Sequence, residues 1–248
     1  MLTNINFKAK DFKTDLSKPL DISIGLRGDE KNPVAWYLGS PEIKPVKDGD
    51  FIGKVSEGAS VNFNTIQFNP HAHATHTECV GHISREFYSI NQTLITFFFL
   101  SKLISIEPET RGEDKVISEA ILKEKIQANE TEALIIRTLP NFREKQTKKY
   151  SHTNWPYLSE EAAVYLRNCG IKHLLIDLPS VDKEKDGGKL LAHKAFWNYP
   201  KKTRFEATIT ELVYVPNTIE DGAYLLNLQI ASFENDASPS KPVLYKLL

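Results

Sequence analysis

The chain has 248 residues, with 31 basic and 32 acidic side chains and a net charge of −1, so no strong field favours nucleic acid or anionic lipid. Hydrophobic residues at 41% and charged residues at 25% are ordinary for a globular protein able to bury a sizeable core. Two cysteines exclude a disulfide framework and favour a reducing compartment, and the longest apolar run, ITFFFL, is too short to span a bilayer.

The N-terminal stretch MLTNINFKAKDFKTDLSKPL lacks an apolar segment of signal-peptide length, and its lysines and aspartates interrupt it throughout. A cytoplasmic protein with no membrane or nucleic-acid partner is therefore expected. No internal repeat and no Pro/Gly/Ser-rich linker divides the sequence, so residues 1–248 read as one domain. Pro19, Pro33, Pro41 and Pro45 punctuate short segments in the first fifty residues. From Ser60, SVNFNTIQF alternates apolar and polar residues with one phase change, which predicts a strand with a bulge.

Two helix-then-strand units follow the histidine-rich stretch discussed below. In the first, Ser118 is placed to cap a helix, with Ile117 and Leu122 as its hydrophobic staple, and ALIIRTL reads as a buried strand. The basic run around Arg143, Lys145, Lys148 and Lys149 reads as a solvated loop. In the second unit Ser159 caps, Glu160 and Glu161 suit the helix dipole, and Gly170 suits the left-handed C-terminal position before HLLIDLPSV. The tail returns to β patterning with TITELVYV, AYLLNLQIA and PVLYKLL, giving a mixed α/β architecture in which strands outnumber helices.

The stretch HAHATHTECVGH, residues 71–82, gathers four of the seven histidines with one glutamate and one cysteine. Imidazole nitrogen and carboxylate oxygen are the donors that zinc and related ions take, and spacing decides whether they converge. On a strand, residues of one parity share a face, so His76, Glu78 and His82 would point together and Cys79 away, as a packed thiol. His71 and His73 have the wrong parity; a one-residue bulge between 71 and 76 would bring His71 into phase. A hydrogen-bonded histidine cluster is the alternative to a metal site. Further ligands would have to come from elsewhere: His193 lies in the apolar stretch LLAHKAF, and Glu211 in the apolar strand TITELVYV, where each needs a partner. His173 reads as a satisfied strand-end residue, and His152 lies in a charged loop.

Residues 74–82, ATHTECVGH, resemble the motif H-x-G-T-H-x-D-x-P-x-H of the metal-dependent cyclase/hydrolase family that includes bacterial kynurenine formamidases and isatin hydrolase. Thr75, His76 and His82 match; Glu78 replaces the aspartate, Ala74 the glycine, Val80 the proline, and Ala72 stands where the first histidine falls. DLSKPL at 15–20, the segment 158–182 ending DLPSVD, AH at 192–193, ITEL at 209–212 and DASPSKPVLYKL are similar to further family segments in the same order. The resemblance implies a swivelling β/β/α cyclase-like fold, a mixed sheet with a few flanking helices. It further implies one or two divalent ions, zinc or manganese, and hydrolysis of a small-molecule formamide or cyclic amide by a homodimer or homotetramer. Carried over, His71, His76 and Glu78 would bind the first ion, His193 and Glu211 would complete a second site with Glu78 bridging, and His82 would be the catalytic acid/base. Trp36, Phe196 and Trp197 are candidates for an aromatic substrate wall, although such residues are more often core. A lyase or cyclase on the same scaffold, or a binding protein with a decayed site, are the rival readings.

Overall fold

Runs that are apolar on both faces set the architecture, because such a strand must be covered on both sides. In the computed structural model, which describes residues 1–7 and 10–248, seven strands among those residues close into a barrel. They are β1 (His76–Glu78), β2 (Phe98–Ile106), β3 (Ala133–Thr138), β4 (His173–Ile176), β5 (Thr208–Glu211), β6 (Gly222–Ile230) and β7 (Ala237–Lys246). The order round the barrel is β6-β2-β3-β4-β5-β1-β7, with β7 pairing back to β6. Strands β2, β3, β4 and β5 run parallel, and β1, β6 and β7 are joined antiparallel, so the sheet is mixed.

Parity along β3 separates two cores. Ala133 and Ile135 face the barrel interior with Leu103, Leu175, Leu226 and Leu228. Leu134 and Ile136 face outward, against Leu122, Leu166 and Phe196 of three helices: α1 (Glu119–Lys125), α2 (Glu160–Asn168) and α3 (Leu191–Trp197). The predicted caps are present: the Ser118 side chain accepts from Ile121 N and that of Ser159 from Ala162 N. Gly170 follows α2 with φ +84°, the left-handed conformation that ends a helix at least cost for glycine. Phe196 and Trp197 are fully buried in this outer core and form no substrate wall. Lys145 is not a solvated loop residue, since its ammonium bonds Thr138 and the buried Asp177 carboxylate at 2.7 Å.

The segment 60–68 departs from the strand expected there. Only Asn64–Gln67 is extended, paired with Glu42–Pro45, and Val61, Phe63 and Ile66 are exposed. Alternation without a buried face does not sustain a long strand. No helix among the described residues is long and apolar enough to cross a membrane.

Candidate metal centre

Strand β1 is only three residues long, yet it is paired on both sides. Glu211 of β5 lies opposite His76, and Ala237 of β7 lies opposite Glu78. Thr77 and Cys79 turn inward, Thr77 to Thr210 Oγ1 at 2.8 Å and Cys79 into the inner core. His76 and Glu78 therefore turn outward with Glu211, toward α3, so the cluster sits on the barrel wall and not in its interior. Helix α3 supplies His193. Asp182 fixes the start of that helix, accepting from the backbone N–H of Ala192 at 2.7 Å and of His193 at 3.2 Å.

His71 and His82 reach the cluster differently from what strand parity predicts. No bulge precedes β1; residues Pro70–His73 form a single helical turn capped by Asn69, whose side chain accepts from His71 N at 2.9 Å. Proline at the first helical position suits that start. His82 is not on the strand, which ends at Glu78; a 3-10 turn over Val80–His82 brings it back. That turn needs Gly81, where an added Cβ would collide with the Tyr88 carbonyl. His73 points away, with its ring between Asn69 N and the Gly39 carbonyl at 2.9 Å each.

The six residues singled out for the site are thus brought together. His71 Nδ1 stands 3.1 Å from Glu78 Oε2, and His193 Nε2 stands 3.1 Å from Glu78 Oε1. His76 Nε2 is 3.4 Å from Glu211 Oε2, and His82 Nδ1 is 3.8 Å from Glu78 Oε2. Glu211 Oε1 also accepts from Val181 N at 2.9 Å. Two further carboxylates join them: Asp182 Oδ2 accepts from His193 Nδ1 at 2.6 Å, and Asp236 Oδ2 accepts from His71 Nε2 at 2.9 Å and His82 Nδ1 at 3.2 Å. Neither aspartate stood out in the sequence. Asp182 closes DLPSVD and Asp236 opens DASPSKPVLYKL, so membership of a matching segment was the one available signal.

Electrostatics follow from this crowding of unlike charges. Burial pulls the His71 imidazole down, but the Asp236 and Glu78 carboxylates beside it outweigh this and hold the ring up at about 10. Burial opposes charge on His193 too, and Asp182 and Glu78 raise it well above the usual histidine range. Burial pushes Glu78 up, yet His82, His193 and His71 together hold it well below the ordinary carboxylate range. Asp236 is likewise lowered by His71 and His82 against its desolvation.

The residues fit a metal ion. His76 donates Nδ1–H to the Ala74 carbonyl at 3.0 Å, which leaves the buried Nε2 lone pair without a hydrogen-bond partner. Glu78 Oε2, fully buried, also lacks a hydrogen bond of proper geometry. Orphaned acceptors at one buried spot are costly unless a cation takes them. Donor atoms of His71, His76 and Glu78, of Glu78, His82 and His193, and of His71, His82 and Asp236 lie within 4.8 Å of one another in each set. Beside them opens a cavity of about 310 Å³ lined by Trp36, Leu38, Asn69, Ser180 and Leu190 with His71, His82 and Glu211. Trp36 and Leu190 both take left-handed backbone, φ 59° and 49°, which costs a bulky residue on the order of 1–3 kcal/mol. His173 lies elsewhere, buried with Nδ1 on Thr208 Oγ1, and His152 lies outside the cluster near Tyr37.

Residues 14–183 match the protein family described as "Putative cyclase". Among solved structures, a predicted metal-dependent hydrolase from Bacillus stearothermophilus is 18% identical, with TM-score 0.64 over 92% of this chain and 98% of that one. Isatin hydrolase A from Labrenzia aggregata, bound to benzyl benzoate, is 13% identical with TM-score 0.66 over 92% and 93%. Isatin hydrolase A from Ralstonia solanacearum is 12% identical, with TM-score 0.64 over 92% and 91%. These likenesses establish a shared fold. A search of curated proteins finds no match.

Proposed function

The chain belongs to the cyclase family, and from that premise we propose that it is a metal-dependent hydrolase cleaving the C–N bond of a small formamide or cyclic amide. The observation that carries this reading is the pair of buried acceptors without a well-formed hydrogen bond, His76 Nε2 and Glu78 Oε2, set among three more imidazoles and Glu211. His71, His76 and Glu78 would hold one zinc or manganese ion, and His193 and Glu211 a second, with Glu78 shared. When bound, such an ion supplies Lewis acidity, bringing water ionisation to about pH 7 and polarising a carbonyl.

The protein's own groups supply the rest. His82 lines the cavity with its ring centroid 4.3 Å from that of His71, placed to take the proton of the attacking water and pass it to the leaving nitrogen. Trp36, Leu38 and Leu190 provide apolar walls that exclude bulk water from a flat acyl group. At about 310 Å³ the cavity is at the small end of ligand sites, which suits one or two rings and not a peptide.

The test is elemental analysis of protein purified without chelator, followed by assay on formylated anilines, cyclic imides and lactams. Stoichiometric zinc or manganese and release of a carboxylate product are expected. Protein without bound metal would refute the reading. An unsaturated product without carboxylate would replace hydrolysis by elimination on the same scaffold.

A further inference from the structure

We propose that Asp236 is a positioning residue that decides which ring nitrogen of His71 and of His82 carries hydrogen. The inference rests on the metal-centre reading for His71, and on geometry alone for His82. Asp236 belongs to none of the roles assigned above. Its main chain is tied down on three sides: its carbonyl accepts from Cys79 N at 3.0 Å, the preceding Asn235 carbonyl accepts from Ile90 N at 2.8 Å, and the following Ala237 pairs with Glu78. The side chain thus projects from a fixed point of the barrel seam.

One oxygen, Oδ2, meets His71 Nε2 at 2.9 Å and His82 Nδ1 at 3.2 Å. An ionised carboxylate only accepts, so both ring nitrogens that face it carry hydrogen. The other nitrogen of each neutral ring is then the one left with a free lone pair. For His71 that is Nδ1, 3.1 Å from Glu78 Oε2; for His82, whose Nδ1 also lies 3.8 Å from Glu78 Oε2, the nitrogen left free of hydrogen is Nε2, on a ring that lines the cavity. A single oxygen therefore imposes opposite tautomers on two histidines: Nε2–H on His71 and Nδ1–H on His82. The same device occurs independently a few ångströms away, where Asp182 Oδ2 holds His193 Nδ1 at 2.6 Å and leaves Nε2 facing Glu78. Outer carboxylates of this kind fix ring orientation and raise ligand basicity. Asp236 differs from Asp182 in keeping a quarter of its side chain exposed.

The test uses full-length protein labelled with 15N-histidine and loaded with zinc, comparing wild type with Asp236→Asn, Asp236→Ala and Asp236→Glu. Long-range proton–nitrogen spectra read each tautomer, and calorimetry with zinc alone reads affinity. In wild type, His71 protonated at Nε2 and His82 at Nδ1 are expected. In Asp236→Ala and Asp236→Asn, His82 should shift toward the Nε2–H form and zinc should bind roughly 10–100-fold more weakly. Asp236→Glu should restore part of both, with far-ultraviolet circular dichroism of the zinc-free variants matching wild type. Unchanged tautomers with zinc affinity within about twofold of wild type would overturn the proposal. So would loss of zinc as complete as in His76→Ala, because Asp236 would then be a ligand itself. If wild type binds no zinc, the metal reading fails, and the His82 tautomer in the same spectra still decides the role of Asp236.

Discussion

The cluster has an inner and an outer half, and they are built by different means. His76, Glu78, His193 and Glu211 have side chains 0–4% exposed and come from strands β1 and β5 and helix α3. His71, His82 and Asp236 are 19–30% exposed and come from a helical turn, a 3-10 turn and the last residue before β7. The inner half takes its precision from β-register and burial, where a misplaced donor has no water to fall back on. The outer half sits where the cavity opens, and hydrogen bonding to one carboxylate does the work that packing does inside. In this comparison burial fixes the donors, and partial exposure leaves room for proton traffic.

The largest expected effect tests the inner half. His76→Ala should abolish stoichiometric metal retention, because its Nε2 lone pair has no other partner; elemental analysis at wild-type stoichiometry would break the distinction. Next, if the proposed hydrolysis holds, His82→Ala should keep the metal and lose turnover by roughly 10²–10⁴-fold on any amide of the assay panel that the wild type cleaves. Metal loss in that variant would show the outer half to be as structural as the inner.

A third prediction uses a histidine outside both halves. Burial drops His173 to about 3 from an ordinary value of 6.5. A depressed histidine is neutral when folded, so the unfolded chain binds the extra proton between those values. The His173 contribution should therefore be constant well above pH 6.5 and fall as pH drops below it. Between pH 6.5 and 5 the loss is about 2 kcal/mol at roughly 1.4 kcal/mol per unit. Urea unfolding of wild type and His173→Gln should differ by that amount in pH dependence; parallel curves would contradict the assigned burial. The smallest effect sharpens the contrast from the metal side. Because Asp236 and Glu78 hold His71 protonated at neutral pH, a cation must displace that proton. Zinc affinity should fall by about tenfold per pH unit for each proton displaced as pH is lowered. Calorimetry at pH 7 in buffers of different ionisation enthalpy should show proton release, and none would mean His71 is not a ligand.

Local signals were legible where one element determined its own state. Ser118 and Ser159 cap helices as their sequence positions indicate, and ALIIRT and HLLI form buried strands because both faces are apolar. Parity explains the shared direction of His76 and Glu78 and the inward turn of Cys79. It fails at His82 and His71, because three residues of strand are followed and preceded by turns whose periods are not two. Asp236 was illegible for a different reason. Its partners lie 165 and 154 residues away, and only closure of β7 onto β1 brings them together. The exposed apolar residues of 60–68 misled in the opposite sense, since alternation reports a buried face only when something covers it.

Strand β1 has a further consequence. The barrel closes through these three residues: remove their pairing, and β5 and β7 lose their connection to each other. His76 and Glu78 occupy two of the three positions, and Glu211 lies directly across one seam. Whatever draws these side chains together acts as a clasp on the whole fold. A ligand at 100 times its dissociation constant adds about 2.7 kcal/mol to folding stability by mass action alone. The melting temperature of this protein should thus serve as a gauge of site occupancy, readable before any substrate is identified.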